Sequence, residues 1–189
     1  MRKRYIATIL IALAIVVYMA FNDRQETQYD GVSSEEREAD FIISQFTLDH
    51  YGESGALKQA IKAEQAKHFP ETQEIPSETL FTLPNVTLHQ GNKEFWRLSA
   101  REGVLTGERL LTLIGNVRVI PLSDTDTRFN LSTEKLNINL DTEIADTKES
   151  VVIKDPNSEI TSKGLRANLK TQQIEFTSQV RGSHDPTVR

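Results

Sequence analysis

The side chains that could do chemistry in this 189-residue sequence are four histidines, 27 acidic residues and a scatter of serines, with no cysteine at all. His50, His68, His89 and His184 are far apart in the chain, in neither an HxH nor an HExxH spacing. Such spacings put two imidazoles on one face of a strand or helix, within reach of one metal ion, so no metal site is expected. The serines lie in no GxSxG elbow, and no glycine-rich phosphate loop precedes a helix. A pair of carboxylates could run glycoside hydrolysis, but the acids fall mostly in turns and at polar strand positions, where solvated surface is the default. An unrecognised acidic hydrolase site is the weakest reading, and neither catalysis nor a cofactor is expected. The missing cysteines exclude disulfides and thiolate chemistry and are compatible with an oxidising compartment.

The elements carrying these residues begin with a basic cluster, Arg2, Lys3 and Arg4, followed by YIATILIALAIVVYMAFN with no charge from Tyr5 to Asn22. As a helix this run would span about 27 Å, close to the hydrocarbon thickness of a bilayer. Tyr5 and Tyr18 stand where interfacial aromatics collect, and the basic cluster should stay cytoplasmic. A cleaved signal peptide is the alternative. Cleavage after Ala20 would, however, put Tyr18 where a small residue is needed, so an uncleaved anchor over residues 1–22 is expected. The net charge is −5, and removing the +3 of the basic cluster leaves −8 on the rest. That balance argues against a nucleic-acid partner.

Residues 23–40 are polar and acid-rich without periodicity and read as a flexible tether outside the cytoplasm. From Phe41 onward, β-branched and aromatic residues alternate with polar ones between recurrent turn signals: Gln90-Gly91-Asn92, Thr106-Gly107-Glu108, Asp141-Thr142-Glu143 and Asp155-Pro156-Asn157. The stretch RLLTLIGNVRVI, Arg109 to Ile120, alternates through Leu111 and Leu113, then through Val117 and Val119 beyond Gly115-Asn116. It reads as two strands meeting at a bend or bulge. One segment, ESGALKQAIKAEQAKHF, is ambiguous, because its Ala, Lys and Gln favour helix. Three strand–turn–strand units also overlay weakly, aligning Ser99 with Ser132 and Ser162, and Leu111 with Ile144 and Ile174. Stacked units of this kind bury their apolar faces on one another and leave open ends. An antiparallel β-sandwich or jellyroll over residues 41–182 is expected, with a short tail at 183–189.

Gly55-Ala56-Leu57, FTLP at Phe81 to Pro84, W-x-L-x-A from Trp96 and G-N-V-x-V ending at Val119, behind an amino-terminal anchor and acidic tether, resemble the LptC family in order and spacing. The resemblance implies a twisted, OstA-like antiparallel β-jellyroll, opened into a V-shaped groove and preceded by one transmembrane helix. It implies a single-pass inner-membrane protein with a periplasmic domain. Such a protein receives lipopolysaccharide from an ABC transporter and hands it to a soluble periplasmic bridge protein of the same fold. It also implies that Gly55-Ala56-Leu57 opens a strand, which resolves the ambiguous segment against helix.

By position in the family pattern, Phe81, Ile114 and Ile174 are expected on the lipid path, with Phe46 and Leu48 as secondary candidates. Docking edges are expected at Phe41 and Ile43 toward the transporter permease subunits, and at Ile174, Phe176 and Val180 toward the bridge protein. Self-association through the same edges is a further expectation. Gly55 and Gly115 are expected to serve bulges or close strand approach. An exposed edge accepts a partner strand through main-chain hydrogen bonds. An open sandwich takes acyl chains at about 0.8 kcal/mol per methylene removed from water. The competing reading is a membrane-tethered β-sandwich adaptor with a sealed core that binds only proteins.

Overall fold

A computed structural model describes residues 38–52, 54–91, 93–122 and 129–185. The anchor expected over Tyr5–Asn22 and most of the tether lie outside them. The described chain is antiparallel β-structure throughout: β1 (Phe41–Tyr51), β2 (Leu57–Phe69), β3 (Glu78–Thr82), β4 (Asn85–Gln90), β5 (Lys93–Ser99), β6 (Glu102–Thr106), β7 (Leu110–Pro121), β8 (Asn130–Asn139), β9 (Ile144–Asp155), β10 (Ser158–Asn168) and β11 (Gln173–His184). The four turns expected from the sequence fall between consecutive strands. β11 runs through Ser183 and His184, so the last strand extends two residues past Gly182.

The ambiguous segment is β2. Gln59, Ile61, Ala63 and Ala66 are buried, and strands pair along both of its sides, so packing overrides the helix-favouring composition.

The pairing is a meander. Leu83 and Pro84 join β3 to β4, and Ala100 and Arg101 join β5 to β6, so each couple acts as one broken row. β2 pairs β4 through residues 59–62 and β3 through residues 65–69. β7 pairs β6 through residues 110–114 and β5 through residues 118–121. The row order is therefore β1, β2, β3 with β4, β6 with β5, and then β7 through β11. Among the described residues, rows β1 and β11 are the two edges of the sheet.

A crease crosses every row. It passes Gln45 in β1, Glu64-Gln65 in β2, the corners at Leu83 and Arg101, Gly115-Asn116 in β7, Glu134-Lys135 in β8, residues 148–150 in β9, Lys163-Gly164 in β10 and Gln179 in β11. Apart from Gly115 and Gly164, these residues are exposed. Gln45, Leu83, Gly115, Asn116, Gly164 and Gln179 all have positive φ. Pairing registers slip at the crease between β7 and β8, β8 and β9, β9 and β10, and β10 and β11. Local left-handed residues and bulges bend strands sharply, and here they bend in line. The sheet therefore folds over on itself. Phe46, on one side of the crease, packs on Phe81 across it at 5.5 Å, and Trp96 Nε1 donates to the Leu169 carbonyl at 3.3 Å.

The core lies inside that fold. Leu111, Leu113, Val117 and Val119 are buried, so the odd set in RLLTLIGNVRVI faces inward on both sides of the Gly115-Asn116 bulge. Pro84, Trp96, Leu98 and Ala100 from the two sequence motifs face it. The three overlaid units are stacked hairpins, and their turns are bonded in sequence: the Leu140 amide donates to the Arg109 carbonyl and the Leu169 amide to the Glu143 carbonyl, both at 2.9 Å. The expected alignment slips by one residue in the middle unit. Ala145, opposite Ile138 and Ala167, occupies the inward place there, and Ile144 lies beside it on the other face.

Gly115 sits at φ +78°, and a side chain there would also meet the Arg101 guanidinium. The guanidinium is the end of a flexible chain and can swing away, so backbone strain sets the cost. Gly115→Ala should destabilise the domain by roughly 1–2 kcal/mol in chemical denaturation. Gly55, at φ +76° with open space around it, serves the β1–β2 turn.

Candidate lipid cleft and free edges

β1 departs from the simple period of two. Phe41 and Ile43 are opposite His68 and Ala66, whereas Phe46, Leu48 and His50 are opposite Ala63, Ile61 and Gln59. Directly opposed residues share a face, and the left-handed turn at Gln45 brings odd and even residues of β1 to the same inner side. The result is an apolar strip along an edge strand. Phe41, Ile43, Phe46 and Leu48 line a cleft of about 330 Å³ whose far wall includes Leu105 and Leu140. Phe41 and Leu48 remain 42% and 39% exposed, so this strip is an uncovered continuation of the core face. Phe41 stacks on His68 at 4.7 Å, and the His68 Nδ1 is 2.9 Å from the Thr79 hydroxyl, which fixes the ring at the cleft wall.

The expected lipid-path residues separate into distinct places. Phe46 and Leu48 line the cleft. Phe81 is 2% exposed and lies behind Phe46 as part of the sealed core, so it supports the cleft from beneath. Ile174 is half-buried on β11, opposite Ala167, and packs against the core near the other edge. Ile114 is on the opposite face from Leu113 and Val117, paired with Glu102 and Lys135. Alternation along β7 turns it outward, away from the cleft that Phe46 and Leu48 line.

The expected docking residues do fall on the two edge rows: Phe41 and Ile43 on β1, and Ile174, Phe176 and Val180 on β11. Their side chains have a second role, since Phe41 and Ile43 line the cleft and Ile174 and Phe176 pack against the core. Docking at either edge would therefore use main-chain groups. His50, His68, Leu105 and Leu140 also line the cleft and were not expected there. Their only sequence signal is an inward parity that depends on knowing where the crease lies.

Among the described residues no group of three His, Asp or Glu is placed to hold a metal. Asp155 has its carboxyl held below the usual carboxylate range, chiefly by the Ser158 hydroxyl at 2.6 Å and then by the Asn157 amide at 2.9 Å. Those donors close the β9–β10 turn, so this carboxylate is a turn cap.

The chain is similar to the lipopolysaccharide export system protein LptC of Escherichia coli K12, with 22% identity over 178 residues, covering 94% of this chain and 91% of that protein. It is similar to the LptC protein of Haemophilus influenzae as well, with 23% identity over 190 residues, covering 91% and 89%. The crystal structure of LptH, the LptA-homologous periplasmic component of the lipopolysaccharide transport device of Pseudomonas aeruginosa, superposes with a TM-score of 0.52 at 8% identity. It covers 68% of this chain and 95% of that one, a likeness of fold. The description "Lipopolysaccharide-assembly, LptC-related" matches residues 7–185, and on that match the chain belongs to the LptC family.

Proposed function

We propose that this protein is a non-enzymatic relay for lipopolysaccharide. Residues 1–22 anchor it in the inner membrane with the amino terminus cytoplasmic, and residues 23–40 tether the β-domain in the periplasm. The domain receives lipid from an inner-membrane ABC transporter through the β1 edge and passes it to a soluble bridge protein of like fold through the β11 edge. Family membership and the fold shared with LptH support this reading. The observation that carries it is the apolar strip of β1, left open beside a sealed core. Acyl chains laid along Phe41, Ile43, Phe46 and Leu48 would gain about 0.8 kcal/mol per methylene buried. A shallow strip of this kind holds lipid by many modest contacts and can release it. The energy for directional movement would come from the transporter.

Site-specific photocrosslinking in living cells tests the reading. Photoreactive residues at Ile43, Phe46 and Leu48 should yield lipopolysaccharide adducts, while Lys148, exposed at the crease of β9, should yield none. Adducts to proteins alone at the three cleft positions would favour the adaptor that binds only proteins and would overturn the relay.

A further inference from the structure

Among the described residues four polar side chains are buried: Gln59, Thr133, Thr147 and Ser162. Three of them lie beside the crease with their hydroxyls engaged. Thr133 Oγ1 donates to the Ser150 carbonyl at 3.0 Å, Ser162 Oγ donates to the Gly164 carbonyl at 3.2 Å, and Thr147 Oγ1 accepts from the Glu149 amide at 3.1 Å. Gln59 differs. It is 8% exposed, and its side-chain amide has no hydrogen-bond partner among the described residues. A buried amide left unpaired destabilises a fold, and leucine or methionine would fill the same place without that penalty.

Gln59 continues the inward column of β2 beyond Ala63 and Ile61, and it stands opposite His50 on β1. Along β1 the cleft lining passes from Phe46 and Leu48 to His50, and along β2 from Ile61 to Gln59, so the apolar strip ends in a polar pair. Gln59 and Leu140 also line a second, narrower cavity of about 20 Å³, walled by Leu88, Trp96 and Leu169. That space admits about one water and no acyl chain. The amide therefore stands where the open cleft closes down.

We infer that Gln59 is a polar subsite of the cleft, taking the amide linkage of an N-acyl chain whose hydrocarbon lies against Leu48 and Ile61. The inference rests on the relay reading proposed above and adds a specificity-determining residue to it. A glutamine side chain carries two N–H donors and a carbonyl acceptor. A secondary amide matches both, accepting at its carbonyl and donating from its N–H. An ester linkage only accepts, and a bare hydrocarbon does neither. Each missing partner leaves part of the buried Gln59 amide unpaired, so the preference runs from amide through ester to hydrocarbon.

The test uses the purified full-length chain in phosphatidylcholine nanodiscs and three photoreactive probes of equal chain length. They are a fatty N-methylamide, the fatty methyl ester and the plain hydrocarbon, each with a diazirine near the tail. Adducts are counted on residues 41–61. In the background chain the amide should label roughly fivefold more than the hydrocarbon, the worth of about one hydrogen bond, with the ester between them. Gln59→Leu and the unbranched Gln59→Met should bring all three probes to the hydrocarbon level. Both should hold or raise the melting temperature, since neither removes a partnered group. A clear fall in melting temperature in both variants would make the amide a structural member and overturn the inference. An amide preference that survives both substitutions would overturn it too. Equal labelling by the three probes in the background chain would overturn it while leaving the cleft a lipid site. Labelling by none of them would overturn the cleft as a lipid site and this subsite with it.

Discussion

Phe81→Ala is expected to cost roughly 3–5 kcal/mol of folding stability, while Leu48→Ala, on the neighbouring wall, costs about 1 kcal/mol. Phe81 is 2% exposed and meets Phe46 across the crease, so its removal opens a void where the two halves of the folded sheet hold together. A void of that size forfeits packing contacts that the surrounding strands cannot recover, because both halves are fixed by ladder hydrogen bonds. Leu48 is 39% exposed on an edge strand, and its truncation leaves space that solvent already reaches. The consequence for function is the reverse. Leu48→Ala should weaken lipid adducts at Phe46 while the domain remains folded, whereas Phe81→Ala should reduce adducts only in proportion to unfolding. Chemical denaturation of both variants beside the crosslinking assay separates the two effects. Equal stability losses would mean that the strip on β1 is core like any other, and the sealed adaptor would gain.

The difference between these positions was only partly legible in the sequence. Alternation in RLLTLIGNVRVI located the inward residues of β7 on both sides of Gly115-Asn116, and all four named by that pattern are buried. The same alternation places Ile114 outward. Its expected role came from family position, and parity along the strand is the stronger constraint, because a residue cannot change face without a bulge on its own side of the sequence. Turn chemistry located the hairpins, and family spacing placed β2 as a strand where propensity left helix and strand evenly balanced.

The crease left no comparable signal. Glu64-Gln65, Glu134-Lys135 and residues 148–150 read singly as interruptions of strand patterns. They become one line only when the pairing register sets them side by side. For the same reason Phe41 and Ile43 could not be recognised as sharing a face with Phe46 and Leu48. The parity break depends on a left-handed Gln45, a conformation that glutamine rarely advertises.

Gly164→Val is the second substitution with a large expected effect, a loss of roughly 2–5 kcal/mol concentrated at the carboxy-terminal edge. Two physical causes act together. Gly164 has φ +81°, which a β-branched residue adopts only under strain. Its missing Cβ would also stand 2.9 Å from both Cβ and Oγ1 of Thr177 on β11, and 3.4 Å from the Thr147 carbonyl oxygen on β9. Backbone lies on one side, so relief must come from β11, which pairs with β10 alone. The edge strand should therefore loosen before the rest of the domain, with amide exchange accelerating along residues 173–184 while β7 and β8 stay protected.

The two causes can be divided by a double-mutant cycle with Thr177→Gly. Removing the threonine side chain should recover the part of the loss due to the clash and leave the part due to φ. If the loss in the double variant equals the sum of the losses of Gly164→Val and Thr177→Gly measured singly, steric contact with β11 is not what glycine avoids here, and backbone conformation alone accounts for it. If the double variant instead loses less than that sum, the close approach at Gly164 is what seats the edge strand β11.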